Sequence, residues 1–138
     1  MRRHIVSVLA ATACASGLAF AGASVAAQGV TATAQSTVAG VTVKVTPRKV
    51  AAGAQAWVFA IVLDTHSQDL SDDLLQTTTL VGDDGRELKP SAWKGAAAGG
   101  HHRAGTLEFA VPEPAPRSFE LRMRRPGERE PRVFRFGR

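Results

Sequence analysis

Three histidines and a run of aspartates hold the most reactive side chains of this sequence beyond its N-terminal segment. His66 lies in Thr65-His66-Ser67-Gln68-Asp69, with Asp72 and Asp73 close behind, while His101 and His102 lie in Gly99-Gly100-His101-His102-Arg103. Imidazoles with a carboxylate make a first coordination shell for zinc or copper, so His66, His101 and His102 with Asp69 or Asp73 form a candidate Cu or Zn set. Against it, neighbours in an extended segment point to opposite sides, which separates His101 from His102 as joint ligands.

The same residues also read as a polar latch. Thr65, Ser67 and Asp69 have side chains that bond nearby backbone N–H groups and fix a loop. Arg103 is placed to make a forked pair with Asp69, Asp72 or Asp73, with Trp93 in the same cluster. The latch, built from Thr65, Asp69, Asp72, Trp93 and Arg103, is the leading expectation, and the metal site is the alternative. Ser67 or Ser71 could be combined with a histidine and an aspartate, but no strand–turn–helix nucleophile elbow surrounds them. The expectation is therefore a protein that is not an enzyme.

The elements that must position these residues alternate with period two, as half-buried strands do. Val41, Val43 and Val45 alternate with Thr42, Lys44 and Thr46. Residues 57–63, Trp-Val-Phe-Ala-Ile-Val-Leu, are apolar on both faces and predict a central strand covered on both sides. Thr77 to Val81 and Arg86 to Lys89 flank Asp84-Gly85, a hairpin signal. Leu107, Phe109 and Val111, then Phe119, Leu121 and Met123, then Arg132 to Phe136 complete the set. The long segment from Pro90 to Arg103 reads as a loop. About seven short strands with antiparallel turns and no convincing helix predict an all-β protein, an immunoglobulin-like antiparallel β-sandwich. The Cys/Trp/Cys pattern of true immunoglobulin domains is absent.

Alternating strand directions place the loop at 64–75, the loop at 90–103 and the turn near 126–130 at one end of such a sandwich. All three histidines then share a pole, with His66 a neighbour of the 101/102 pair. An additional strand between 76 and 103 would invert that placement.

The N-terminus reads as an export signal over residues 1–27: Arg2 and Arg3, an Ala/Val/Leu-rich run, and a small-residue cleavage motif at Val25-Ala26-Ala27. Two variants are a lipoprotein anchored through Cys14, from Ala11-Thr12-Ala13-Cys14, and twin-arginine export from Arg2-Arg3. Residues 28–38 are small and polar and read as a flexible spacer, leaving 39–138 as one domain. The 138-residue chain carries 17 basic and 12 acidic residues for a net charge of +5, which falls to about +3 once Arg2 and Arg3 leave. Cys14 is the sole cysteine, so the processed chain has no disulfide and no thiolate ligand. The C-terminal arginines, with Arg122 and Arg124 on an outward strand face, suit a solvated sheet surface or contact with an anionic envelope polymer; another envelope protein is a further expected partner class. No aromatics interleave with them, which argues against nucleic acid.

With these motifs in view, the chain resembles a group of uncharacterised exported bacterial proteins. The shared features are Thr65-His66-Ser67-x-Asp69-Leu70, Trp93-x-Gly95 and Gly99-Gly100-His101-His102-Arg103 leading into an apolar strand, covering most of 41–136. The resemblance implies one exported, periplasmic or secreted domain and no catalytic assignment. The expected function is a non-catalytic binding or accessory module of the envelope, with a periplasmic Cu/Zn-binding protein as the alternative. Unlike the periplasmic copper-carrier sandwiches, the processed N-terminus has no histidine, and Met123 falls on an inward strand position.

Overall fold

The computed structural model describes residues 32–137. The export segment, Cys14 and the first part of the spacer lie outside the described residues. Nine strands and one short helix follow in order. They are β1 (Ala34–Val38), β2 (Val41–Lys49), β3 (Trp57–Thr65), α1 (Leu74–Thr77), β4 (Thr78–Gly82), β5 (Glu87–Leu88), β6 (Ala92–Gly95), β7 (His102–Phe109), β8 (Ser118–Met123) and β9 (Arg132–Gly137). They form two antiparallel sheets, β1-β2-β3-β7-β6 and β5-β4-β8-β9. The fold is the β-sandwich that the alternation predicts.

The period-two pattern fills the space between the sheets. Val41, Val43 and Val45 of β2 and Trp57, Phe59, Ile61 and Leu63 of β3 are fully buried, opposite Leu121 and Met123 of β8 and Phe134 of β9. Phe119 ties the layers together, its ring 5.0 Å from Trp57 and 5.5 Å from Phe136, while Phe59 meets Phe109 edge-on at 5.7 Å. Such pairs add about 0.5–1.5 kcal/mol each beyond the area they bury. Leu70 and Leu74, from the first polar loop and α1, close the end of this core.

Three departures from the predicted elements have physical causes. Within the expected spacer, residues 34–38 form strand β1. It buries little side-chain surface, and backbone pairing to β2 holds it, with a Thr37–Thr42 hydroxyl contact of 2.9 Å and a tight turn at Ala39 (φ +48°) and Gly40 (φ +76°). The expected loop 90–103 contains β6 and the first two residues of β7. Arg103 and Gly105 occupy the inward positions at the start of β7, so no apolar alternation marks where the strand begins. Finally, β3 is central within its sheet, but among the described residues no further layer covers its outer side; Val58, Ala60 and Val62 are half-buried by neighbours in the sheet.

The additional strand β6 does not invert the chain's direction. β5 and β6 run the same way: residues 87–88 pair with 81–80, and residues 92–95 pair with 108–105. Between them the chain crosses from one sheet to the other at Pro90-Ser91, where the Ser91 N–H donates to the Glu108 carbonyl at 2.7 Å. Two strands count as one traverse, so the loops before β4 and before β7 stay at the same end.

Candidate functional site

That end is a clasp of two loops. The β3–β7 ladder runs to Asp64 opposite His102, and continues through the Thr65 N–H donating to the His101 carbonyl at 2.9 Å. Beyond it, the Leu70 N–H donates to the Gly100 carbonyl (3.0 Å) and the Gly99 N–H to the Leu70 carbonyl (2.9 Å). Gly99 (φ +113°) and Gly100 (φ +75°) adopt left-handed backbone that turns the loop towards Asp69, whose Oδ1 accepts the Gly100 N–H at 2.7 Å. Thr65 Oγ1 accepts the Ser67 N–H at 3.2 Å, and Asp73 caps α1 by accepting the Leu75 N–H at 3.1 Å. The carboxylates of Asp69 and Asp73 are thus bonded to backbone.

Arg103 projects inward from β7 and is buried. Its Nη1 donates to the Asp72 carbonyl at 2.5 Å and lies 3.4 Å from the Leu70 carbonyl, and its Nε donates to the Ala96 carbonyl at 3.2 Å. The guanidinium lies 5.2 Å from the centre of the Trp93 ring, a cation–π contact, and the Trp93 indole N–H donates to Ala96 at 2.9 Å. The indole needs the bare backbone beneath it. A Cβ on Gly105 would come within 2.7 Å of the ring and 2.6 Å of the Gly95 Cα. The Trp93-x-Gly95 motif and Gly105 are one packing unit.

The forked pair expected of Arg103 is made by another arginine. Arg125 Nε and Nη2 donate to the two oxygens of Asp72 at 3.0 and 3.1 Å, with both side chains almost fully buried. Arg125 Nη1 also reaches Glu128 at 3.2 Å, and Glu128 accepts from Arg132 Nε (2.9 Å) and Nη2 (2.5 Å). Arg132 in turn donates to the carbonyls of Ser36 and Val41 (2.9 Å each) and Val38 (3.1 Å). A chain of alternating charge, Asp72–Arg125–Glu128–Arg132, therefore ties the first polar loop to the β8–β9 turn and to β1. The bonds from Arg132 hold the Glu128 carboxyl below the ordinary glutamate range, outweighing its burial. Arg103 is balanced by carbonyl dipoles and the Trp93 ring.

Arg125, Glu128 and Arg132 were absent from the sequence-derived site, yet the strand phase carried a signal for the two arginines. Arg125 continues the inward positions of Leu121 and Met123, and Arg132 precedes the inward Phe134 and Phe136.

The histidines are at the clasp but on its outside. His66, His101 and His102 are all exposed. His102 Nδ1 lies 2.5 Å from Asp64 Oδ1 on the outer face of the sheet. Among the described residues, no three His, Cys, Asp or Glu side chains converge as a metal ion would require. No helix among the described residues is long and apolar enough to cross a membrane. No protein-family model, curated protein or solved structure matches this chain.

Proposed function

We propose that this protein is an exported, non-catalytic binding or accessory module of the bacterial envelope, a rigid sandwich that presents its surfaces to a partner. The observation that supports this reading is the bonding at the pole. Thr65, Asp69, Asp72, Asp73 and Arg103, the hydroxyl, acids and buried cation of the two loops, are all engaged with backbone or with an opposite charge. Such groups organise loops and are not free for a substrate. The export component rests on the charged, apolar and small-residue order of residues 1–27 and on the resemblance drawn above.

One observation favours the metal-binding alternative. A carboxylate on Nδ1, as Asp64 provides, fixes the tautomer of His102 and turns Nε2 outward, the arrangement found behind many metal-ligating histidines. The two readings separate in a titration with Cu(II) and Zn(II), following melting temperature and bound-metal stoichiometry in the protein and in a His66→Ala/His101→Ala/His102→Ala variant. The module reading expects the same small response in both. A saturable, stoichiometric stabilisation present only in the parent protein would overturn it.

A further inference from the structure

On the sheet β5-β4-β8-β9, residues of the half nearer the clasp line an open groove of about 350 Å³. Three cations from different elements surround it: Lys89 beyond β5, Arg122 from β8, and Arg124 at the start of the β8–β9 turn, with Glu87 the sole acid in the lining. Thr79 faces Arg122 across the β4–β8 ladder and adds a hydroxyl to the floor.

The internal bonds of these cations leave a surplus of donors. Glu120 is shared between two arginines: its Oε2 accepts from Arg122 Nε at 2.9 Å and lies 2.9 Å from Nη2, and its Oε1 accepts from Arg135 Nε at 2.9 Å, so one negative charge answers two positive ones. Arg122 Nη1 is left over. Lys89 Nζ donates to the Gln76 carbonyl at 2.7 Å and lies 3.4 Å from the Thr78 carbonyl, contacts that hold the ammonium beside the groove without neutralising it. Arg124 is exposed and makes no side-chain hydrogen bond or ion pair among the described residues.

We propose that this groove binds a linear polyanion bearing phosphate groups. The inference rests on the binding-module reading and gives that module its surface. A planar carboxylate is satisfied by one arginine edge, and Glu120 Oε2 already occupies the Nε/Nη2 edge of Arg122. What remains along the groove is one guanidinium edge, one ammonium and one complete guanidinium, which matches the several acceptor oxygens of a phosphate. No aromatic or long apolar side chain lines the groove, so nothing there inserts into a bilayer, whereas a charged chain can lie along it.

The test is calorimetric titration with medium-chain inorganic polyphosphate at several salt concentrations, with poly-glutamate and phosphatidylglycerol vesicles as comparison ligands. Arg124→Glu removes a groove cation that supports no internal contact, and Arg48→Glu makes the same charge change on the other sheet. The groove reading expects polyphosphate to bind with marked salt dependence and in preference to both comparison ligands. Arg124→Glu should weaken it roughly ten- to hundredfold, the scale of a charge-assisted hydrogen bond, with Arg48→Glu close to the parent. Absence of polyphosphate binding, equal loss in both variants, or preference for poly-glutamate or vesicles would each overturn it. The metal titration is read on other residues, so either inference can fail while the other stands.

Discussion

Gly105 is the residue on which the pole's packing turns. Its neighbours are the Gly95 Cα, the Lys94 carbonyl oxygen and the Trp93 ring, all within 2.7 Å of where a Cβ would stand, and backbone cannot move aside as a flexible side chain would. Gly105→Ala should therefore destabilise by about 1–3 kcal/mol, the usual penalty of overpacking, measured by denaturant unfolding. Displacing the indole also frees Arg103 from its ring contact, so loss of near-ultraviolet circular dichroism from Trp93 should accompany the destabilisation. A stability equal to the parent's would mean that the ring does not rest on the glycine pair. Little of this was legible beforehand. Trp93, Gly95 and Arg103 stand out by type, but Gly105 adds no pattern to the sequence, and its role exists only once β6 and β7 are paired.

Among the elements, the first polar loop and the β8–β9 turn are joined chiefly by Asp72 and Arg125. A buried pair of this kind adds little over an apolar replacement of both partners, but removing one partner leaves a charge without compensation and typically costs about 3–5 kcal/mol. Arg125→Met should show a loss of that size. Combining it with Asp72→Asn should recover part of the loss, and the resulting double-mutant cycle reports the coupling directly. Strictly additive effects would show the contact to be incidental. The strands themselves were readable wherever one face was apolar: β2, β4, β8 and β9 fall where alternation places them. β1 and β6 were not readable, because they are edge strands with polar or glycine-rich sequences, held by backbone bonds that any residue can make. By residue type the arginines of the network suit a solvated surface, and only the inward phase of Arg125 and Arg132 points the other way.

For the whole molecule, the pole keeps its place although the chain has two more strands than the seven expected from alternation. The premise of one strand per traverse is incorrect, and the placement holds because the chain changes sheet at Pro90-Ser91 without reversing. The molecule's response to acid follows from the same pole. Glu128, its side chain 7% exposed, has its carboxyl lowered from the ordinary 4.5 by Arg132, so its contribution is present above that pH and is lost as the pH falls through the lower folded-state value. Glu120 and Asp84 are lowered too, by bonds from Arg122 and from the Arg86 backbone respectively, so acid weakens the fold at several surface points as well. Comparing the parent with Glu128→Gln isolates the buried term. The variant should be less stable at neutral pH, and the gap should narrow below pH 4.5. A gap independent of pH would remove Glu128 from the account.

Arg132 also imposes an order in time. It stands near the end of the chain, yet it holds carbonyls of Ser36, Val38 and Val41, up to 96 positions earlier. A polypeptide made or threaded from its N-terminus delivers β1 well before the guanidinium that braces it, which follows more than 90 positions later. Until β9 arrives, β1 has only its pairing to β2 to hold it, and the guanidinium then ties that hairpin to the opposite sheet.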